Sequence, residues 1–288
     1  MDAGPADAGA LGEGRDDLMG TCKAVILARG LGTRMRREDT AARLDAAQAQ
    51  VAAGGVKAMI PIGRPFLDHA MTGLADAGIT DVCLVIGPEH AAIRTYYDAL
   101  TLRRIRVHYA IQPTPDGTAG AVAAAEPFAD GETVLVMNGD NYYPVVACRA
   151  LADAGGSGVV GFGLQGLIAN SNIPAERVRQ FALLQRDADG FLTGIVEKPD
   201  EATYAALVDH SLVSMNLWSF SPVIYEACRR VQPSVRGELE LQDAVRIAMG
   251  ALGERFRVVE SDAGVLDLST RGDIESVAAV LRDRPVDL

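Results

Sequence analysis

Long apolar runs are missing from this sequence. No stretch approaches the roughly 18 unbroken apolar residues of a membrane span, which argues against a membrane partner. Paired cysteines are missing too. Cys22, Cys83, Cys148 and Cys228 lie far apart with no CxxC among them, and His69, His90, His108 and His210 are equally dispersed. That spacing offers no zinc site, and the thiols are expected to be reduced and scattered. Basic residues are the minority: 27 Lys plus Arg face 38 Asp plus Glu, a net charge of −11. Nucleic-acid binding calls for a broad basic face, so it is not expected here. A small phosphorylated ligand remains compatible, provided a few Lys or Arg, backbone N–H groups and a cation meet its charge locally. The opening MDAGPADAGALGEGRDDLMG has neither the basic flank nor the apolar run of a secretory signal. It predicts a disordered tail over residues 1–20 and a cytoplasmic location.

What is present is enough apolar material for a large core: 49% of 288 residues are hydrophobic. KAVILA (residues 23–28) is a short apolar run that ends in the glycine-rich turn Gly30-Leu31-Gly32-Thr33. VCLVI (82–86) follows the helical pattern FLDHAMTGLADAG, whose Gly78 reads as a helix C-cap. RVHYAI (106–111) alternates, and TVLVM (133–137) runs into Asn138-Gly139-Asp140. Strands separated by helical stretches predict βαβ units. The expected fold class is therefore α/β: a Rossmann-like, doubly wound, mostly parallel sheet extended by mixed or antiparallel strands. The expected organisation is one domain over residues 21–288. A first half spans about 21–155, and the half spanning about 156–288 supplies a second wall. Strands are expected near 158–164, 181–185, 191–197 and 212–220, with helices near 222–231 and 239–249. The Ala- and Gln-rich stretch 37–54 reads as a short surface helix or a mobile lid.

Ligands of such sheets sit beyond the carboxyl ends of the strands, where the glycine turn and Asp140 fall. Glycines let a backbone approach phosphates, turn N–H groups can point at them, and Arg34 can hold phosphate oxygens. Alone, this is equally a plain turn with a solvated arginine. It is neither a Walker A loop nor a complete G-x-G-x-x-G. Asp140 follows a buried strand and a glycine, and Asp267 in VLDLST follows another apolar run. Hard Mg²⁺ takes one or two carboxylates plus phosphate oxygens and water, so the two aspartates form a candidate pair of ligands.

Together these residues carry a resemblance. LARGLGTRM, VKAMIPI, QPTPDGTAGA, LVMNGDN, VEKP, RGELELQDA and VLDLST occur in an order similar to that of the sugar-1-phosphate nucleotidyltransferases, which include glucose-1-phosphate thymidylyltransferase. The resemblance runs from about Lys23 to Asp273. It implies that Gly30, Gly32 and Thr33 hold the triphosphate, while Arg34 and Lys57 neutralise it as the catalytic cations. It implies that Gln112 reads the base edge with Gly117 against the ring, and that Asp140 and Asp267 bind Mg²⁺. Glu197 would take sugar hydroxyls, with Lys198 and Arg236 on the sugar phosphate, which makes about 21–155 the nucleotide-binding half and about 156–288 the sugar-phosphate-binding half. Arg236 opens RGELEL at the start of an expected helix. The implied partners are a nucleoside triphosphate, UTP or dTTP before GTP or CTP, and a sugar 1-phosphate; homo-oligomers stay open. Departures are visible. Arg29 stands where a second alanine is usual, Val56 replaces a proline, and Asn216, Trp218 and Val265 stand where sugar-pocket walls carry Gly, Tyr and Trp. A silent nucleotide-sugar sensor would lose a metal aspartate or the lysine of EKP. A dinucleotide dehydrogenase would need an acidic residue ending a second strand near twenty residues after the glycines, where the Ala- and Gln-rich 37–54 stretch lies instead. Neither pattern is found. No hexapeptide repeat follows Asp273, so a fused acyltransferase is not expected.

Overall fold

KAVIL is extended because Ala24, Val25 and Ile26 are buried on alternating faces of a sheet covered on both sides, the setting that calls for near-continuous apolar strands. A computed structural model describes residues 20–288; the expected tail over 1–20 lies almost wholly outside the described residues. Strand β1 (Lys23–Leu27) leads into α1 (Thr33–Arg36), α2 (Ala46–Gly54), the hairpin β2 (Pro61–Ile62) and β3 (Arg64–Pro65), and α3 (Phe66–Asp76). Then follow β4 (Asp81–Ile86), α4 (Ala91–Asp98), β5 (Arg106–Ile111), α5 (Thr118–Ala124), α6 (Glu126–Ala129), β6 (Val134–Asn138), β7 (Asn141–Tyr142) and α7 (Val145–Asp153). The second half contains β8 (Gly158–Phe162), α8 (Leu164–Asn170), α9 (Ala175–Val178), β9 (Leu183–Arg186), β10 (Leu192–Val196) and α10 (Glu201–Leu207). It closes with β11 (Leu212–Phe220), α11 (Val223–Arg230), α12 (Leu241–Ala251), β12 (Arg257–Ser261), β13 (Leu266–Asp267) and α13 (Asp273–Leu281).

The main sheet has the order β10-β9-β11-β6-β1-β4-β5, with β8 also paired to β11 and β12 to β8. The block β6-β1-β4-β5 is parallel, and β11 joins it antiparallel through Trp218↔Val136. This is the α/β sheet with antiparallel extension that the sequence predicts. Its two faces carry separate cores. Ile26, Leu84 and Met137 pack with α3, α4 and α7 on one face; Val25, Val85 and Val136 pack with α5, α11 and α12 on the other. Gly78 follows α3 in the left-handed region (φ 99°), the conformation expected just past a helix end. Cys83, Cys148 and Cys228 are buried and all four cysteines are free.

A third core decides what the 37–54 stretch does. Met35 of α1, Ala52 of α2, Ile60, Ile62, Leu266, Leu268 and Ile274 pack together. The stretch therefore contains a packed helix rather than a loose lid. Asp45 accepts from the Gln48 backbone N–H at 2.8 Å and the Gln48 side chain accepts from the Asp45 N–H at 3.2 Å, a capping box at the start of α2. Gln48 is itself buried and donates to the Pro61 carbonyl at 3.0 Å, tying the helix to β2. Asp45→Ala removes the acceptor and is expected to cost about 1 kcal/mol. Amide hydrogen exchange over residues 46–55 should accelerate; unchanged protection would mean that packing alone holds α2.

Candidate active site

The glycine turn after β1 is held open by contacts behind it. Ala28 N–H donates to the Val85 carbonyl at 2.9 Å, so the chain leaves the sheet only after that residue. Gly32 lies in the left-handed region (φ 61°), and a Cβ there would collide with the backbone of Gly55, which caps α2. Arg36 Nη2 donates to the Gly54 carbonyl at 2.9 Å. The α2 cap thus presses on one side of the turn, while a Cβ at Gly30 would meet nothing. The open side borders a cavity of about 460 Å³, within the usual range for small-molecule sites. Gly30, Gly32, Thr33 and Arg34 line it, and so do Lys57, Gln112, Gly117 and Asp140. Residues assigned from separate motifs are thereby gathered in one place.

Asp140 is delivered by β6. Gly139 N–H donates to the Leu27 carbonyl at 3.0 Å, docking the chain beside the glycine turn. Lys57 Nζ then meets Asp140 Oδ2 at 2.8 Å, with the lysine side chain 13% exposed. Burial makes this pair stronger than a surface one. Asp267 sits one rung away: β13 pairs with β7 through Asp267↔Asn141, and Leu268 N–H donates to the Asp140 carbonyl at 2.9 Å. Its carboxylate is buried and engaged, accepting from Asn141 Nδ2 at 3.0 Å and Ser269 Oγ at 3.1 Å and ion-paired with Arg177. Asp267 does not line the cavity. Among the described residues no group of three or more His, Cys, Asp or Glu side chains gathers. Asp140 offers on the cavity wall a hard oxygen donor of the kind Mg²⁺ takes beside phosphate oxygens and water, whereas the Asp267 carboxylate would have to leave Arg177 to join it.

Gln112 is buried and its Nε2 donates both to Asp116 Oδ1 at 2.7 Å and to the Gly117 carbonyl at 2.9 Å. Both partners are acceptors, so the amide nitrogen must face them and Oε1 is left as the free acceptor. Gly117 has φ 123°, and a Cβ there would collide with the Leu239 backbone. Leu239 N–H donates to the Asp116 carbonyl at 2.7 Å, and Ala119 N–H donates to the Leu239 carbonyl at 2.9 Å. Thr118 Oγ1 accepts from Leu241 N–H at 2.9 Å, at the start of α12. The QPTPDGT and RGELEL segments are therefore backbone-stapled, which brings Glu238 onto the cavity wall.

The remaining predicted residues lie beside the cavity rather than on its lining. Arg236 was expected to open a helix. It occupies instead a turn closed by Gly237 N–H to the Ser234 carbonyl at 2.8 Å, because the chain must first pair with the 116–119 loop before α12 starts at Leu241. Arg236 meets Glu240 at 2.6 Å on the exposed side of this turn. Glu197 and Lys198 follow β10, with Lys198 in the left-handed region at φ 41°. Glu197 keeps an open face to solvent, yet packed atoms around its carboxyl raise its pKa above the usual range; Arg246, Lys198 and Arg236 pull it down. Glu197, Lys198, Arg236, Glu240 and Arg246 thus share one electrostatic neighbourhood. Sequence reading missed Glu238 and Arg246. Glu238 lies within the quoted RGELEL motif, whereas nothing in its local pattern distinguishes Arg246, which donates to the Ile195 carbonyl at 3.1 Å. Of the expected sugar-pocket positions, Trp218 and Val265 are wholly buried in the cores. Asn216, left-handed at φ 57° in the irregular stretch of β11, accepts from Gln242 at 3.2 Å.

The strand ends of the parallel sheet thus gather a glycine turn, three cations (Arg29, Arg34 and Lys57) and the carboxylates of Asp140 and Glu238 around one cavity of an α/β protein. The Nucleotidyl transferase family profile matches residues 23–282, and the chain belongs to that family. A low-salt glycan biosynthesis nucleotidyltransferase of Haloferax volcanii is 28% identical over 78% of this chain, which spans only 56% of that relative. A UTP–glucose-1-phosphate uridylyltransferase of the same organism is 26% identical over 91% of this chain and 97% of its own length. A glucose-1-phosphate thymidylyltransferase of Neisseria gonorrhoeae is 25% identical over 90% of this chain and 82% of its own. The crystal structure of a UDP-glucose pyrophosphorylase complexed with UDP-glucose shares the fold, with a TM-score of 0.70 at 18% identity, covering 91% of this chain and 99% of that one.

Gly117→Ala tests the staple between the two loops. Backbone strain of about 1–3 kcal/mol at the left-handed position adds to the collision with Leu239. The melting temperature should fall, and amide exchange at Leu239 and Leu241 should accelerate. Unchanged exchange there would separate the two segments energetically.

Proposed function

We propose that this protein is a Mg²⁺-dependent sugar-1-phosphate nucleotidyltransferase, forming a nucleoside diphosphate sugar and pyrophosphate. The observation that carries this reading is the single cavity lined by Gly30, Gly32, Thr33, Arg34, Lys57, Gln112, Gly117 and Asp140. A triphosphate laid along the turn meets backbone N–H groups and Arg34, with Lys57 beside Asp140 on the same lining. Asp140 and Asp267 would hold Mg²⁺, which supplies Lewis-acid withdrawal of charge from phosphate oxygens when bound. A sugar 1-phosphate oxygen attacks the α-phosphorus in line; one P–O bond forms and the bond to the departing pyrophosphate breaks. No general base is required, because the attacking phosphate is already ionised. Lys198 and Arg236 hold this second anion against the repulsion of the first, and Glu197 accepts from sugar hydroxyls. Catalysis is then positioning plus electrostatic stabilisation, without a covalent intermediate.

The base preference follows from the Gln112 amide. With Nε2 committed to Asp116 and Gly117, Oε1 accepts from a ring N–H. Uracil and thymine offer one at N3, cytosine does not, and guanine offers its N1–H as the second choice. The test is a matrix of nucleoside triphosphates against sugar 1-phosphates read by pyrophosphate release, with UTP or dTTP expected as the best donors. No pyrophosphate from any pair, combined with tight binding of nucleotide sugars, would replace the enzyme by a sensor.

Two substitutions divide the site. Asp140→Asn should lower turnover by about a hundredfold or more, the scale of losing one major electrostatic stabiliser; near-normal Mg²⁺-dependent rates would remove Asp140 from the metal assignment. Lys198→Ala should lower kcat/KM for the sugar phosphate by roughly ten- to hundredfold, with triphosphate affinity by calorimetry unchanged. A variant crippled in triphosphate binding but normal with sugar phosphate would reverse the two halves of the site.

A further inference from the structure

Arg29 stands on the wall of the same cavity and has no role in the reading above. It is 7% exposed, an unusual degree of burial for a guanidinium. Its Nε and Nη2 reach Glu89 Oε1 and Oε2 at 3.3 and 3.4 Å. Its Nη1 is fully buried and has no hydrogen-bond partner among the described residues. The absence of a side chain at Gly87 leaves room for the Glu89 carboxylate to fold back over the backbone toward Arg29. The pair therefore joins the loops that follow β1 and β4, one strand from the loop that carries Gln112 after β5. A buried, charged donor left unsatisfied is costly. Glu89 is half-exposed and reaches Arg29 only at 3.3 and 3.4 Å, so its carboxylate can turn to solvent once another acceptor meets the guanidinium. A ligand that brings an acceptor to this wall relieves the deficit.

We infer that Arg29 is a base-selecting residue, donating from its guanidinium to a carbonyl oxygen of the nucleobase while Gln112 Oε1 accepts from the adjoining ring N–H. This rests on the nucleotide reading of the cavity. The combination matches bases whose edge carries a carbonyl next to an N–H, which are uracil, thymine and guanine. It disfavours adenine, which has no carbonyl, and cytosine, whose ring nitrogen carries no hydrogen. Glu89 holds the guanidinium at the wall until the base arrives. Its carboxyl lies below its usual pKa range, through its own backbone N–H first and Arg29 second, so it is ionised throughout the neutral range.

The test is calorimetry on the full chain in Mg²⁺ with UTP, dTTP, GTP, CTP and ATP, and with inorganic tripolyphosphate as a base-free probe. Arg29→Ala should weaken the preferred triphosphates by roughly ten- to hundredfold. Affinity for ATP and tripolyphosphate should hardly change, so the preference flattens. Arg29→Lys, which keeps the charge but not the fork, should fall between and serves if the alanine variant does not fold. Glu89→Gln should keep the preference, since it only loosens the hold on Arg29. An unchanged preference profile in Arg29→Ala overturns the inference and leaves the nucleotide reading standing. Loss of tripolyphosphate binding overturns it by making Arg29 a phosphate ligand. Loss of preference in Glu89→Gln equal to that in Arg29→Ala overturns it by making the pair a structural brace. If the unmodified protein binds neither any nucleoside triphosphate nor tripolyphosphate, the nucleotide reading fails and the inference with it.

Discussion

The ion pair between Lys57 and Asp140 joins positions 83 residues apart and sets the geometry of everything around it. Lys57 is placed by the turn that ends α2, and Asp140 by the end of β6. Their meeting at 2.8 Å ties the segment behind the glycine turn to the end of β6. If either segment shifts by a residue, each charge loses its partner on the cavity wall. The third core, which includes Met35, Ala52, Leu266 and Leu268, holds α1, α2 and β13 together.

The chain as a whole is strongly acidic, at −11. A site for anions must then be built by local concentration of positive groups, not by overall charge. The structure does this in two places. Arg29, Arg34 and Lys57 stand around the cavity. Lys198, Arg236 and Arg246 stand around Glu197. The backbone staple from residues 116–119 to Leu239 and Leu241 ties the cavity wall to the segment that carries Arg236. Carboxylates accompany four of these six cations: Glu89 with Arg29, Asp140 with Lys57, Glu240 with Arg236 and Asp243 with Arg246. Such pairs keep the cations oriented.

Much of this was legible in the chain itself. KAVILA and VCLVI are strands because apolar runs of that length suit a sheet covered on both faces, and both carry residues of the two cores. Asp140 was legible as a strand-end carboxylate, since a glycine and an acid after a buried strand have one place to go. The 37–54 stretch was ambiguous, because its Ala and Gln side chains form no marked apolar stripe. Only contact with Met35 and Pro61 makes it a buttress. Arg236 was misplaced onto a helix because the pairing of Leu239 with Asp116 and Ala119 is long-range and leaves no local signature.

By itself, then, the sequence determined the alternation of strands and helices, the glycine turn and the identity of the charged groups, because these rest on local periodicity, backbone freedom and side-chain chemistry. Tertiary structure alone decided which groups meet. The antiparallel attachment of β11 to β6, the rung that sets Asp267 beside Asn141, and the burial of Arg29 against Glu89 all join residues distant in the chain. Such contacts depend on which faces pack and which donors find acceptors, and neither is written in any single segment. The direction of the Gln112 amide is of the same kind. A glutamine can offer either end, and it took Asp116 and Gly117, brought round by the Leu239 staple, to leave the oxygen free.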